Sequence, residues 1–195
     1  MQRVCVFCGA SSGSRAAYAA AARAFGAAAA ARGLGVVYGG GRVGLMGEVA
    51  DAALAAGGAV AGVIPQELVA RELAHAGLTE LHVVGSLHER KALMAELADG
   101  FVALPGGFGT LDELMEQLTW SQLGLHAKPV GLLDVAGYWR PLIALARHAT
   151  EEGFVREADL AAIAVAEDPD ALLDRLERAE REERPRPKWA SPPAP

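Results

Sequence analysis

Residues 105–113 have the residue types and spacing best suited to chemistry in this chain. They read Pro-Gly-Gly-Phe-Gly-Thr-Leu-Asp-Glu, so three glycines stand beside the hydroxyl of Thr110 and the carboxylate of Glu113. Glycines permit a sharp turn and let a ligand approach the backbone N–H groups. At a helix N-terminus, unpaired N–H groups and the positive end of the helix dipole bind anions. The segment is therefore predicted to hold a phosphate, with Glu113 one helical turn above it.

A buried strand and an amphipathic helix must flank this segment. Phe101–Leu104 is a short apolar run ended by a proline, which is typical of a strand buried on both faces. From Thr110 onward the apolar residues recur with helical spacing. Thr110 and Glu113 also fit a capping box, in which both side chains satisfy the helix's own N–H groups without a ligand. The spacing leaves both interpretations open, but three glycines exceed what a cap requires.

The rest of the chain alternates apolar runs with helical segments. The predicted strands are Val4–Phe7, Leu34–Tyr38, Ala59–Ile64, Leu81–Val84, Phe101–Leu104, Pro129–Leu133 and Ala161–Ala166. The later helices are predicted over Tyr138–Thr150 and Pro169–Glu182. This alternation predicts an α/β fold with a Rossmann-like open parallel sheet and helices on both faces. Residues 1–183 are expected to form one domain, and the Pro-rich residues 184–195 a disordered tail. In such folds ligands bind at the carboxyl ends of the strands, where the glycine clusters of this chain fall.

Composition narrows the possible partners. The 195 residues are 52% hydrophobic, which suits one domain with a substantial core, and the formal net charge is −6. No basic stripe is present, so binding to nucleic acid is not expected. The chain enters its first strand at Arg3 with no leader pattern, and the Ala-rich stretch 16–31 is interrupted by Arg23 and Gly26. We therefore expect a soluble cytoplasmic protein without a membrane span.

Cys5 and Cys8 form a CxxC pattern on the first predicted strand. Three residues of extended chain separate their Cα atoms by roughly 10 Å, whereas a disulfide needs less than about 7 Å. No second cysteine or histidine pair completes a zinc site. Buried, reduced thiols are the expected state.

Gly39, Gly41 and Gly44 satisfy the GxGxxG spacing of dinucleotide sites. A nicotinamide site also requires an acid at the end of the following strand, to bind the ribose hydroxyls. That strand ends at Pro65 without an acid, so a nicotinamide cofactor is disfavoured and no cofactor is expected. These glycines are predicted to offer a second backbone approach to the same nucleotide.

Three segments together resemble the Lonely Guy family. Residues 105–113 match its PGGxGTxxE signature, residues 38–47 its YGGGxxGLMG segment, and residues 88–94 its HxRKAxM pattern. The similarity runs from about Arg3 to Glu167. It implies a cytokinin riboside 5'-monophosphate phosphoribohydrolase, which would hydrolyse the N-glycosidic bond of (N6-substituted) adenosine 5'-monophosphates. The products would be a cytokinin base or adenine and ribose 5-phosphate. The resemblance also implies a homodimer, with which Trp120, Tyr138 and Trp139 are compatible because they look exposed.

The resemblance assigns roles to individual residues. Glu113 and Arg90 would be catalytic. The substrate-binding set would be Gly40, Gly41, Glu72, Lys91, Met94, Gly106, Gly107, Phe108, Gly109, Thr110 and Thr119. From the residues alone, Arg90 and Lys91 would more simply form a solvated face, Glu72 a solvated charge, and Thr119 a buried helix threonine.

Two other functions fit part of the pattern. A nucleotide-binding carrier or sensor would share the glycines but would not need Glu113 and Arg90 arranged for chemistry. A lysine decarboxylase, an older label for this family, would need pyridoxal phosphate on a lysine. The only lysines are Lys91, Lys128 and Lys188, and none lies in a supporting motif.

Overall fold

The computed structural model describes residues 1–69 and 74–181, which contain one parallel sheet of seven strands. The strands are β1 (Arg3–Phe7), β2 (Gly35–Tyr38), β3 (Val60–Pro65), β4 (Glu80–Val84), β5 (Gly100–Ala103), β6 (Val130–Leu133) and β7 (Ile163–Ala166). Their order in the sheet is β4-β3-β2-β1-β5-β6-β7. The central strands are buried on both faces, as their continuous apolar runs indicate.

Helices cover both faces of the sheet. They are α1 (Ala16–Ala31), α2 (Gly44–Ala55), α3 (Gln66–Val69), α4 (Leu87–Leu97), α5 (Phe108–Leu123), α6 (Arg140–Glu151), α7 (Glu157–Ala161) and α8 (Pro169–Arg181). Residues from α1, α2 and α8 pack in one core cluster, and residues from α4 and α5 pack in the other. The predicted open parallel sheet with helices on both faces is confirmed. None of the described helices combines the length and apolar character needed to cross a membrane.

The order of strands reverses direction at β1, which lies between β2 and β5. Val6 pairs with Tyr38 on one side, and Phe7 pairs with Ala103 on the other. The three strands therefore end at the same level, and the turns that follow them meet at one edge. A crevice at such a reversal is the usual ligand site of an open α/β sheet.

Several local predictions need correction. Trp139 was expected to be exposed, but only 1% of it is accessible, because its ring packs beneath the carboxyl edge of the sheet. Helix α7 was not predicted, because a single turn offers too little periodicity to recognise. The predicted disordered tail and Glu72 lie outside the described residues.

Both cysteines are free and buried, as the extended spacing predicted. Cys5 faces one core cluster and Cys8 the other, because residues an odd number apart on a strand point to opposite faces. Burial raises the pKa of both thiols above their ordinary value, which keeps them protonated and unreactive at neutral pH.

Candidate active site

Helix α5 begins two residues earlier than its apolar pattern predicted, at Phe108, with Gly107 as the N-cap. Its first helical hydrogen bond runs from the Leu111 N–H to the Gly107 carbonyl oxygen, at 3.1 Å. No described side chain caps this end. The capping-box interpretation is therefore wrong, because Thr110 lies inside the first turn rather than before it. The N–H groups of the first turn remain available to an anion.

The glycines of this turn fall into two kinds. A Cβ on Gly106 would overlap the Thr110 hydroxyl and lie 2.9 Å from the Gly9 nitrogen, so packing requires glycine there. A Cβ on Gly107 or Gly109 would meet nothing within 4 Å, so the surrounding protein does not demand glycine at either position. A glycine inside a helix costs about 1 kcal/mol relative to alanine. Open space above exposed glycines is what close approach of a ligand to the backbone requires.

Backbone contacts join this turn to the turns that follow β1 and β2. The Gly9 N–H donates to the Pro105 carbonyl at 3.1 Å, and the Leu45 N–H donates to the Gly9 carbonyl at 2.9 Å. Gly44 has a φ of +61°, and a Cβ there would overlap the backbone of Ala10. The three turns therefore form one continuous surface at the carboxyl edge of the sheet.

The predicted nucleotide segment after β2 lies next to these turns, packed against the rest of the protein. Gly40 and Gly41 are both buried. The His75 N–H donates to the Gly40 carbonyl at 3.0 Å, and Gly41 makes an isolated bridge with Ala74. These contacts fix the β2 turn from the side away from β1.

Glu113 and Arg90 meet under this edge. The Arg90 Nη2 lies 3.3 Å from Glu113 Oε1, and both side chains are largely buried, at 14% and 10% exposure. The Arg90 Nε–H also donates to the Val63 carbonyl oxygen at 3.1 Å, which fixes the guanidinium from the β3 side. The interpretation of Arg90 as part of a solvated face is therefore wrong. A buried acid and a buried guanidinium are therefore placed together, one helical turn from the uncapped N–H groups of α5.

The electrostatic surroundings favour a carboxyl that can exchange protons. Burial raises the pKa of Glu113 above its ordinary value; Arg90 opposes this shift and Asp112 adds to it. Catalytic carboxyls commonly have pKa values moved toward the working pH by burial and neighbouring charges. Glu113 is thus a buried acid beside Arg90 that has the properties of a general base or of a carboxylate that stabilises positive charge.

We predict that Gly39→Ala will lower turnover by about tenfold or more, because small displacements of catalytic groups are costly. A Cβ on Gly39 would overlap Arg90 Nη2 and lie 3.3 Å from the Met46 sulfur, so the guanidinium must move. Gly35→Ala, at the start of the strand that ends just before Gly39, is the control, since its nearest neighbour is the flexible Arg3 side chain. Steady-state turnover and thermal melting of both variants would test this. Normal turnover in Gly39→Ala would show that the position of Arg90 is not critical.

Lys91 is held by two acids of α5. Its ammonium lies 3.0 Å from both Asp112 Oδ2 and Glu116 Oε1, and its side chain is 12% exposed. Partial burial lowers the pKa of Lys91, but these hydrogen bonds outweigh that effect and raise the pKa above its ordinary value. Lys91 therefore neutralises the charges beside Glu113 rather than lying on a solvated face. A contact between Lys91 and a nucleotide stays a prediction.

The other residues predicted to bind substrate range from fully buried to fully exposed. Met94 is 1% exposed and lies in the core one turn below Arg90, while Phe108 is 92% exposed at the mouth of the turn. Thr119 is exposed and donates to the Met115 carbonyl at 2.7 Å, so the buried-threonine interpretation is wrong. It lines an open depression of about 500 Å³ on the outer face of α5, away from Glu113.

Two groups near the site were missed from the sequence. Gln117 is 1% exposed and shares the buried face of α5 with Thr110 and Glu113. Its spacing of four residues from Glu113 was the available signal. Tyr138 was considered only as a surface residue, yet its hydroxyl donates to the Gly106 carbonyl. No spacing rule could have revealed that contact, because 32 residues separate the two partners.

Among residues 1–69 and 74–181, no group of histidine, cysteine, aspartate and glutamate side chains could hold a metal ion. Around the turn that follows β5, the described residues offer backbone N–H groups and the buried pair of Glu113 and Arg90.

The chain is similar to several known proteins. A family model described as possible lysine decarboxylase matches residues 46–176. The cytokinin riboside 5'-monophosphate phosphoribohydrolase of Rhodococcoides fascians is 54% identical over 171 residues, covering 87% of this chain and 86% of that protein. The chain belongs to the Lonely Guy family. A member of the family from Arabidopsis thaliana, with the same enzyme name, is 46% identical over 181 residues, covering 93% of this chain and 83% of its own.

Solved structures share the fold of this family member. The molybdenum cofactor binding protein of Rippkaea orientalis superposes with a TM-score of 0.69 at 21% identity, covering 91% of this chain and 96% of that one. A molybdenum cofactor carrier protein from Chlamydomonas reinhardtii superposes with a TM-score of 0.68 at 22% identity, covering 93% of this chain and 99% of its own. At this identity the similarity concerns the fold alone.

Proposed function

We propose that this protein hydrolyses the N-glycosidic bond of adenosine 5'-monophosphates, including N6-substituted ones, to release the base and ribose 5-phosphate. The observation that carries the proposal is the buried pair of Glu113 and Arg90, one turn from the uncapped N-terminus of α5. The relatives from Rhodococcoides fascians and Arabidopsis thaliana are named for this reaction on cytokinin riboside 5'-monophosphates.

The N–H groups of Gly107 to Thr110 would bind the 5'-phosphate. Charge-assisted hydrogen bonds contribute about 1.5–3 kcal/mol each, so two of them would favour a nucleotide over its nucleoside by roughly 10²–10⁴-fold. A helix rises 1.5 Å per residue, so the backbone of Glu113 lies about 7.5 Å along the axis from Phe108. That separation suits a sugar held between the phosphate site and the carboxylate.

Cleavage of the bond develops positive charge on the ribose, as in glycoside hydrolysis. An ionised Glu113 would stabilise that charge and accept a proton from the attacking water. Arg90 would hold Glu113 ionised, since its guanidinium opposes the effect of burial on the pKa of that carboxyl. The same guanidinium is close enough to contact substrate oxygens or the departing base.

A product assay tests the proposal directly. The purified protein is incubated with AMP and, separately, with N6-isopentenyl-AMP, and free base and ribose 5-phosphate are measured. Both products should appear in equal amounts, and adenosine should be cleaved far more slowly. Binding of AMP without release of adenine would support the carrier or sensor alternative instead.

The proposal carries a pH dependence. Burial raises the pKa of Glu113, and the mechanism requires the ionised form, so kcat/KM should fall as the pH drops through that raised value. The acid limb of the kcat/KM profile is therefore expected above pH 4.5, the ordinary value for glutamate. Measurement of kcat/KM for AMP across the acid range would check this. An acid limb at or below the ordinary value would argue against Glu113 as the ionising group.

We propose also that the protein is a cytoplasmic homodimer. The depression on α5 supports a protein contact, because Leu111, Trp120 and the 39% exposed Met115 line it together with the polar Asp112, Glu116 and Thr119. Light scattering of the purified protein would give its mass in solution. The free, buried cysteines fit a reducing compartment.

A further inference from the structure

Tyr138 stands outside the residues that the proposed reaction uses, yet its hydroxyl contacts the anion-binding turn. The hydroxyl donates a hydrogen bond to the carbonyl oxygen of Gly106. We infer that Tyr138 is a positioning residue that fixes the direction of the Gly106–Gly107 peptide, and thereby sets the preference for a phosphorylated substrate. This inference rests on the proposed function.

The chemistry of the peptide unit explains the effect. All described peptide bonds are trans, so the Gly106 carbonyl and the Gly107 N–H point in opposite directions from one rigid plane. Holding the carbonyl toward Tyr138 therefore aims the Gly107 N–H away from it. The orientation of one group decides the orientation of the other.

This peptide needs an external restraint. The Gly106–Gly107 peptide joins two glycines, and glycine populates positive and negative φ about equally. Rotation of this peptide plane therefore meets little steric resistance. Thr110 closes the space on one side of Gly106, whereas a Cβ on Gly107 would meet nothing within 4 Å. The hydroxyl of Tyr138 supplies a directional contact that the glycines lack.

Tyr138 is itself held firmly. Its ring packs edge-on against Trp139, with centroids 5.0 Å apart, and against Tyr18 of α1, with centroids 5.9 Å apart. The Trp139 indole N–H donates to the Ala103 carbonyl at 3.2 Å, and its backbone N–H donates to buried Asp134 at 2.7 Å. The hydroxyl is therefore placed relative to β5 by a rigid aromatic group rather than by a mobile loop.

The test is Tyr138→Phe, which keeps the ring packing and removes the hydrogen bond. If the turn then holds its binding orientation about a tenth of the time, the KM for AMP rises about tenfold. The kcat for AMP should change little. The kcat/KM for adenosine should stay unchanged, because adenosine has no phosphate to bind the turn. The ratio of kcat/KM for AMP to that for adenosine should therefore fall about tenfold. Tyr18→Phe is the matched control, because it removes a hydroxyl from the same aromatic group and should leave both substrates unaffected.

Each outcome is interpretable. Equal losses with AMP and adenosine, together with a lower melting temperature, would show that Tyr138 serves only stability and would overturn the inference. An unchanged KM for AMP would overturn it as well. Calorimetric titration with AMP separates this result from failure of the proposed function. If the wild-type protein binds AMP without cleaving it, the proposed hydrolysis fails, and a tenfold weaker AMP affinity in Tyr138→Phe would still support the role of Tyr138.

Discussion

Glu113→Gln should lower kcat for AMP by about 10²–10⁴-fold, because general acid–base catalysis by one positioned group contributes that much. The amide has the shape of the carboxyl group but cannot accept a proton or stabilise positive charge on the ribose. Binding of AMP should persist, since the N–H groups of the turn are untouched. Release of adenine is measured in the first turnover and at steady state. Near-normal release by the variant would rule out a catalytic role for Glu113.

Glu116→Gln provides the matched control. Glu116 lies on the next turn of the same helix and contacts Lys91 rather than Arg90. The same chemical change there should have a far smaller effect on kcat. Comparable losses in both variants would indicate that the charge of α5 as a whole matters, and not the position of Glu113.

The Glu113 variant should also be at least as stable as the wild-type protein. Burial raises the pKa of Glu113, so between the ordinary and the raised value the folded state binds more protons than the unfolded state. The free energy of unfolding of the wild-type protein therefore falls as the pH rises through that window. Glutamine does not titrate, so the stability of Glu113→Gln should not fall for this reason. Thermal melting at pH 5 and pH 7 would reveal it. Lower activity with equal or higher stability is the usual mark of a functional acid held in an unfavourable environment.

The parts of this molecule that follow from local rules could be predicted from the sequence. The buried strand before the glycine turn, and Ser86 as a helix cap, depend only on neighbouring residues. The Glu89 N–H donates to Ser86 Oγ at 3.1 Å, which is the contact that a helix-capping serine makes with the residue three positions later. The start of α5 after β5 also depends on a short segment, but the apolar pattern placed that start at Thr110 and the helix begins two residues earlier, at Phe108. The pattern placed the start too late because Gly109, a poor helix former, separates Phe108 from the rest of the apolar stripe.

The parts that depend on distant segments could not be predicted from spacing. Arg90 and Lys91 are adjacent cations, yet one approaches Glu113 beneath the sheet edge and the other binds Asp112 and Glu116. Only the packing of α4 against α5 separates these two environments. Family resemblance assigned Arg90 its catalytic role where the residues alone favoured a solvated face. The exposure of Trp139 was misjudged because its burial depends on Ala103, 36 residues away.

Arg90→Ala is expected to be nearly inactive, with a loss of about 10³-fold or more in kcat/KM, since one removed electrostatic contact already costs 10²–10³-fold. Without the guanidinium, the strongest opposition to the effect of burial on the pKa of Glu113 is lost and only Lys91 still lowers that pKa, so the acid limb of activity should move to higher pH. This shift separates the electrostatic role of Arg90 from simple misfolding, which would lower activity equally at all pH values.

Two further variants make the prediction about Arg90 specific. Arg90→Lys keeps the positive charge, but a lysine ammonium cannot contact both the Val63 carbonyl and Glu113 as the planar guanidinium does. Compared with Arg90→Ala, the lysine variant should therefore recover the wild-type pH profile more fully than the wild-type kcat/KM. Arg32→Ala is the control, because that guanidinium binds Asp170 and Asp174 between α1 and α8 and should leave kcat/KM unchanged. If Arg90→Ala cleaved AMP normally, the guanidinium would be a structural partner of Val63 alone. The ionisation of Glu113 would then not depend on Arg90.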